Sequence, residues 1–110
     1  MSNTLELENK IQLKILKWLR DNGYYCWRNA NLQRLVKGKY INNPYHISGL
    51  PDIICILEGG TYLGIECKTL KGKQSVDQAI HERRVKALGG RYVVARSVED
   101  VRRFLSNLTK

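Results

Sequence analysis

The chain has 110 residues, enough for one domain with a hydrophobic core and too few for two, and its hydrophobic fraction of 43% argues against disorder. Nineteen Lys and Arg against ten Asp and Glu give a net charge of +9, which directs attention to nucleic acids and anionic membranes as partners. No apolar run approaches the roughly 18 residues of a membrane span, and no secretory signal pattern opens the sequence, so we expect an intracellular protein.

Helix and strand signals alternate from the N-terminus onward. Apolar residues at helical spacing predict a first helix over residues 5–20, which the Asn22-Gly23 pair ends. A short aromatic-rich strand over residues 24–28 follows. The polar and basic stretch 29–50 is predicted to be a long loop with a short extended piece, and loops of this length are usually functional.

Two more strands are predicted over residues 52–57 and 61–68, joined by a tight turn at residues 58–60. Short turns predict antiparallel neighbours among the first three strands, and the later strand-helix-strand unit predicts a right-handed crossover between parallel strands. The sequence thus predicts an α/β fold with a mixed sheet in the order α-β-β-β-α-β-α. The remaining elements are a helix over residues 75–88, a buried strand over residues 91–95 and a last helix over residues 97–107.

The cysteines and histidines do not form a metal-binding pattern. Cys26, Cys55 and Cys67 lie in apolar, strand-like runs, and no CxxC pair occurs. His46 and His81 are far apart, with no thiol near either in the sequence, so a structural zinc site is not supported. We predict that the cysteines are reduced and serve as small core residues.

The residues that carry chemistry are Asp52, Glu66 and Lys68. Asp52 follows Pro51 at the entry of a strand, while Glu66 and Lys68 lie two positions apart on the next strand and therefore share a face. In an antiparallel hairpin the start of the first strand lies beside the end of the second, so the two carboxylates and the lysine converge. The alternatives are that Asp52 only caps a turn and that Glu66 and Lys68 form an exposed ion pair.

Converging carboxylates with a lysine suit a divalent cation that acts on phosphate. Oxygen ligands are those that Mg²⁺ prefers, and such an ion polarises a scissile phosphate and lowers the pKa of an attacking water. Lys68 would orient that water or stabilise the charge that develops on the phosphate.

This constellation resembles the PD-(D/E)xK nuclease motif, because Pro51-Asp52 is followed after thirteen residues by Glu66-Cys67-Lys68. The surrounding sequence is similar to one branch of that superfamily, the VRR-NUC (virus-type replication-repair nuclease) family, in its stand-alone phage or prophage form. The matching segments are ENKIQ at 8–12, WRN at 27–29, GLPD at 49–52, GIECK at 64–68, KGKQS at 71–75, Gln78, and GGRY at 89–92.

The resemblance implies a restriction-endonuclease-like mixed sheet and a single nuclease domain over residues 1–110. It implies a metal-dependent endodeoxyribonuclease that uses Mg²⁺ or Mn²⁺, with Asp52, Glu66 and the Cys67 carbonyl as metal ligands. Glu8 would be a further ligand or a water-mediated neighbour, unless it only favours the first turn of its helix. Gln78 would act at the active site, although Ser75-x-x-Gln78 is also a capping-box pattern.

Basic residues cluster in sequence near the proposed site. We predict that they hold DNA phosphates irrespective of base sequence, and the alternative is that they are solvated loop residues. Among the aromatic residues, Trp18 is predicted to be core, while Tyr25 and Trp27 are core or a dimer surface. The predicted DNA-binding residues are Arg28, Arg34, Lys37, Lys39, Lys71 and Lys73.

The predicted function is structure-specific DNA cleavage, foremost of four-way (Holliday) junctions, in DNA repair or recombination within a bacterial cell or a phage-infected host. The small size leaves no base-reading module, and paired incisions suit a homodimer. The alternatives are a flap or nicking endonuclease of the same family and a non-catalytic DNA-binding protein. The last does not explain why carboxylates should converge where phosphates bind.

Overall fold

The computed structural model describes residues 4–29, 34–36, 39–41, 45 and 47–108. A single 3-10 turn, Glu58–Gly60, separates the two central strands. The helices and strands, in chain order, are α1 (Thr4–Asp21), β1 (Tyr25–Arg28), β2 (Arg34–Val36), β3 (Lys39–Ile41), β4 (Ile53–Leu57), β5 (Thr61–Cys67), α2 (Val76–Ala87), β6 (Arg91–Ala95) and α3 (Val98–Leu108).

A four-stranded mixed sheet forms the centre of the fold, with the spatial order β1-β4-β5-β6. β4 is antiparallel to both β1 and β5, and its register places Ile53 opposite Ile65 of β5. β5 and β6 are parallel, as expected for strands that a helix connects. The predicted α/β fold with a mixed sheet and the central order α-β-β-β-α-β-α is confirmed.

The segment between β1 and β4 differs from the prediction. Instead of a loop with one extended piece, it contains β2 and β3, which pair antiparallel as a separate two-stranded sheet. Its sequence explains the difference, since Leu35-Val36 and Tyr40-Ile41 are strand-favouring pairs on either side of a glycine. β1 and β4 are antiparallel neighbours as predicted, but the expected short turn between them is wrong, since β2 and β3 lie between them in the chain.

The hydrophobic core lies on the face of the sheet that α1 and α3 cover, and Trp18 packs against it as predicted. The three cysteines are free and buried there, as predicted, and burial raises the pKa of the Cys55 and Cys67 thiols. Tyr25 and Trp27 are 73% and 37% exposed and so lie outside this core. Its buried members are Ile15, Leu19, Cys26, Ile53, Cys55, Leu63, Ile65, Cys67, Ala95, Val101 and Leu105.

The opposite face of the sheet carries Tyr62, Gly64 and Glu66 of β5 and Tyr92 of β6, which alternate with core residues. Helix α2 packs against β6, where the His81 ring lies 6.2 Å from the ring of Tyr92. α2 has no buried residue of its own. In the part of the chain that the structure describes, no helix is long and apolar enough to cross a membrane.

The turn that leads into β4 rests on the first turn of α2 through main-chain atoms. Gly49 has a φ of 82°, and a Cβ atom there would lie 2.5 Å from the carbonyl carbon of Asp77 and 2.6 Å from the backbone nitrogen of Gln78. Only a glycine permits this approach, because no side chain fits between the two backbones. The contact fixes the entry of β4 against the N-terminus of α2.

Replacing Gly49 with alanine is therefore expected to lower the free energy of unfolding by about 3 kcal/mol or more, through backbone strain and steric overlap together. Gly59 provides the matched control, because its φ is 83° and nothing lies within 4 Å of its Cβ position. Gly59→Ala should cost only the conformational strain, about 1–2 kcal/mol. Urea denaturation of both variants measures the difference, and equal losses would show that the contact with α2 is unimportant.

Candidate active site

Asp52 lies just before β4, beside the end of β5. Its backbone N–H donates to the Ile65 carbonyl at 3.0 Å, and its carboxylate Oδ2 accepts the backbone N–H of Cys67 at 2.7 Å. The hairpin register thus brings Asp52 against the residue that separates Glu66 from Lys68. Asp52 does more than cap its own turn, since its side chain binds the neighbouring strand.

The surroundings of Asp52 disfavour its charge. Burial raises the pKa of the carboxyl group above its ordinary value, and the Glu8 carboxylate adds to the rise. The Cys67 N–H bond and the charges of Lys68 and Arg28 act in the opposite direction, but burial is the larger effect. An ionised Asp52 is therefore costly in the isolated protein, and a bound cation would offset that cost.

Glu66 is fully buried, with 0% of its surface exposed, so the alternative of an exposed ion pair with Lys68 is wrong. Its Oε1 accepts hydrogen bonds from the Tyr92 hydroxyl at 2.8 Å and from the Gln74 side-chain nitrogen at 3.3 Å. Its Oε2 is buried and has no hydrogen-bond partner in the described structure. A buried carboxylate oxygen without a partner is unusual, and a cation is the ligand that would satisfy it.

Lys68 stands beside this unpartnered oxygen. Its Nζ lies 3.9 Å from Glu66 Oε2, too far for a hydrogen bond but close enough for charge attraction, and its side chain is only 14% exposed. Its backbone N–H donates to the Ala95 carbonyl, which continues the pairing of β5 with β6 past the end of the strand. The ammonium is thus held next to both Asp52 and Glu66.

The donors at this edge of the sheet fit a hard divalent cation. In the described ranges no three His, Cys, Asp or Glu side chains come together as a metal-binding group, so Asp52 and Glu66 offer two carboxylates only. Mg²⁺ sites with one or two carboxylates plus backbone oxygens and water are common. Cys67 would contribute its carbonyl, because its thiol packs in the core and burial raises the thiol pKa.

Glu8 lies on α1 at the edge of this site. Its charge raises the pKa of both Asp52 and Cys67, which places it within electrostatic range of them. It does not join Asp52 and Glu66 in a group of three ligands among the described residues. A direct contact of Glu8 with the cation and one through water both stay predictions.

Arg28, predicted to bind DNA, is exposed and also binds α1. Its Nε donates to Gln12 Oε1 at 3.0 Å, and its Nη2 donates to Asn9 Oδ1 at 2.7 Å. These bonds hold the turn of α1 that carries Glu8 against the end of β1. The roles of Asn9 and Gln12 were not predicted, although the segments ENKIQ and WRN contain all three partners.

Two further residues support the site through its backbone. Asn29 donates its N–H to the Asp52 carbonyl at 2.8 Å and its side-chain amide to the Pro51 carbonyl at 3.2 Å. Arg96 donates to the carbonyls of Thr69 and of Gly72 in the loop after Lys68. Neither role was predicted, because both residues bind main-chain atoms of segments that are distant in the sequence.

Gln78 takes part in the capping box that was the alternative interpretation of its spacing. Its Oε1 accepts the N–H of Ser75 at 2.8 Å, and its own N–H donates to Ser75 Oγ at 3.1 Å. The contact between Gly49 and the first turn of α2 nevertheless brings Gln78 close to the turn that carries Asp52. Both roles are therefore compatible with its position.

The remaining basic residues divide into two groups. Lys71 and Lys73 are exposed in the connection between β5 and α2, directly after Lys68. The structure describes only the backbone of Arg34 and Lys39, so the predictions for their side chains, and those for Lys37 and His46, lie outside what it describes.

Comparison with solved structures identifies the class of this fold. One structure, named a VRR_NUC domain, matches with a TM-score of 0.65 and 19% sequence identity, covering 91% of this chain and 95% of its own. Another, named a VRR_NUC domain protein, has a TM-score of 0.59 and 17% identity over 90% of this chain and 84% of its own. No family model matches the sequence, and no curated protein matches it.

The mixed sheet with its carboxylate-bearing edge is thus a VRR_NUC domain fold. The resemblance to the VRR-NUC family that the motifs predicted is confirmed at the level of the fold.

Proposed function

We propose that the chain is a divalent-metal-dependent endodeoxyribonuclease that hydrolyses phosphodiester bonds. The observation that carries this proposal is the buried, unpartnered Oε2 of Glu66, which lies 3.9 Å from the ammonium of Lys68. The adjoining Asp52, whose pKa burial raises, supplies a second carboxylate. The VRR_NUC fold supports the same chemistry.

In this proposal Asp52, Glu66 and the Cys67 carbonyl hold Mg²⁺ or Mn²⁺. When bound, the cation supplies Lewis acidity to the phosphate and lowers the pKa of a coordinated water. Lys68 orients the attacking water or stabilises the charge that develops on the phosphate oxygens. Its low exposure keeps the ammonium away from bulk water, where that stabilisation would be weaker.

The surroundings would hold the DNA backbone. The first turn of α2 lies against the turn that precedes Asp52, and free N–H groups at a helix N-terminus favour a phosphate. Gln78 would assist there in addition to capping the helix. Lys71 and Lys73, exposed beside the site, would position phosphates without reading bases.

The proposed substrate is branched DNA, foremost the four-way junction, cut by a homodimer inside the cell. No helix that would read the major groove stands out among the described elements, which favours recognition of shape over sequence. Two symmetrical incisions match a two-fold dimer. Cleavage of flaps or nicking of duplexes is the alternative within the same chemistry.

The test is cleavage of labelled four-way, flap, splayed and linear duplex DNA in Mg²⁺, Mn²⁺ or EDTA. Paired incision of the junction that requires the metal would support the proposal, and preference for linear duplex would contradict the structural specificity. Light scattering of the protein alone and on a junction measures the subunit number. Binding without cleavage in any metal would favour the non-catalytic alternative, which the convergent carboxylates argue against.

Gln78 offers a prediction that separates its two roles. Ser75→Ala and Gln78→Ala each break the capping box and are expected to lower the free energy of unfolding by about 1 kcal/mol. Only Gln78→Ala should also slow cleavage at saturating Mg²⁺. Thermal denaturation and single-turnover cleavage of both variants measure this, and equal rates would show that Gln78 serves the helix alone.

A further inference from the structure

The two carboxylate oxygens of Glu66 differ in their hydrogen bonds. Oε1 accepts two hydrogen bonds, from the Tyr92 hydroxyl at 2.8 Å and the Gln74 side-chain nitrogen at 3.3 Å, while the buried Oε2 accepts none. A carboxylate that only had to be buried would be best satisfied with donors on both oxygens. The hydrogen bonds therefore hold the Glu66 carboxylate at Oε1 and leave Oε2 available to a ligand.

Tyr92 reaches Glu66 because β5 has no side chain at the intervening position. In the parallel register Gly64 lies beside Tyr92, and Glu66 is the next residue on the same face of β5. A Cβ atom at Gly64 would lie 3.1 Å from the Tyr92 ring and 3.0 Å from the Pro51 ring. The glycine leaves room for the tyrosine ring to lie across β5, with its hydroxyl at the carboxylate.

Gln74 is held in an orientation that makes it a donor to Glu66. Its Nε2 also donates to Glu82 Oε1 at 2.8 Å, and Glu82 in turn pairs with Lys86 at 2.6 Å. Since both acceptors are carboxylates, the amide must present its two N–H groups and not its oxygen to them. Helix α2 thus anchors the loop residue that steadies Glu66.

We propose that Tyr92 and Gln74 are positioning residues that hold Glu66 by Oε1 so that Oε2 is directed at the divalent cation. This inference rests on the proposed function, because it assumes that Glu66 binds the metal. Residues that orient a metal ligand in this way typically change metal affinity by about 10- to 100-fold when they are lost. Neither residue needs to touch the DNA or the reacting phosphate.

The experiment measures Mn²⁺ binding to the DNA-free protein by electron paramagnetic resonance of the unbound ion. Tyr92→Phe removes only the hydroxyl, and the Kd for Mn²⁺ is expected to rise about 10-fold or more. Tyr62→Phe is the matched control, since it also removes a tyrosine hydroxyl, from β5 on the same face of the sheet, and it should leave the Kd within about 2-fold of the wild-type value. The Mn²⁺ concentration that gives half-maximal cleavage should shift in parallel with the Kd, whereas the rate at saturating Mn²⁺ should recover most of its wild-type value.

The outcomes distinguish a failure of the proposed function from a failure of the positioning role. Wild-type protein that binds no Mn²⁺ would overturn the proposed function itself. Wild-type binding with an unchanged Kd in folded Tyr92→Phe would overturn only the positioning role, even if the melting temperature fell. If Tyr92→Phe does not fold, the Kd of Gln74→Leu for Mn²⁺ decides. This variant removes the other hydrogen-bond donor to Glu66, and residue 74 lies in a loop. Loss of folding in both variants would also overturn the inference, because the contacts would then be structural.

Discussion

Replacing Lys68 with methionine is expected to slow DNA cleavage by about 100- to 10,000-fold, the range for loss of a positioned catalytic group. Methionine keeps most of the length and apolar volume of a side chain that is only 14% exposed, but it removes the charge beside Glu66 Oε2. Binding of DNA should change only a few-fold, because one buried ammonium adds little to the net charge of +9.

Lys71→Met is the matched control for this variant. Lys71 lies three residues further along and is exposed, so its loss should weaken binding slightly and leave the rate at saturating DNA nearly unchanged. Single-turnover cleavage of a labelled junction, with binding measured in Ca²⁺ or EDTA, separates the two effects. Equal losses of rate in both variants would mean that Lys68 contributes only general charge.

The Lys68 variant should also change the pH dependence of metal binding. Lys68 lowers the pKa of Asp52, which burial raises, so removing the ammonium raises that pKa further. A proton competes with the cation for the carboxylate, and metal binding is lost as the pH falls through the pKa. The acid limit of residual cleavage should therefore move to higher pH in Lys68→Met, and an unchanged limit would contradict the electrostatic coupling.

Replacing Asp52 with asparagine should reduce cleavage more than about 100-fold, because the proposed metal ligand is lost, while DNA binding is kept or becomes tighter. In the absence of metal, Asp52→Asn should also have a higher free energy of unfolding than the wild type at neutral pH. Because the folded-state pKa of Asp52 is raised, the fold is favoured while the group is protonated and loses stability as the pH rises through that pKa. Asparagine can still accept the Cys67 N–H bond without this cost.

Thermal denaturation with and without Mg²⁺ tests both parts of this prediction. A cation at 100 times its Kd stabilises a protein by about 2.7 kcal/mol, so Mg²⁺ should raise the melting temperature of the wild type but not of Asp52→Asn. Glu99→Gln is the control, since Glu99 is an exposed carboxylate on α3 that pairs with Arg102 far from the site in sequence. A metal response that survives in Asp52→Asn would exclude this residue as a ligand.

The elements and the approach of Asp52 to β5 could be predicted because their causes are local. The short turn at Glu58–Gly60 sets the register of β4 against β5, and the alternation along β5 puts Glu66 and Lys68 on one face. The start of α2 at Ser75 follows from a capping box that spans four residues. Each of these inferences uses neighbours in the sequence.

The hydrogen bonds that support the site could not be predicted, because they join residues that are distant in sequence. Arg28 meets Gln12 and Asn9 at separations of 16 and 19 residues, and Tyr92 meets Glu66 at a separation of 26. Periodicity shows that such residues face inward but does not select their partners. The separate ribbon of β2 and β3 was missed for a different reason, since two three-residue strands are too short for a clear alternating pattern.

The contact of Gly49 with α2 affects which substitutions the protein can tolerate. It joins the turn before Asp52 to the helix through backbone atoms, and no residue of α2 is fully buried, although His81 and Glu82 on its inner side contact Tyr92 and Gln74. The outer surface of α2, which includes the exposed Arg83 and Arg84, can therefore accept new side chains without moving the carboxylates. Substitutions at these two positions can thus change the charge of this surface while Glu66 keeps its hydrogen bonds with Tyr92 and Gln74.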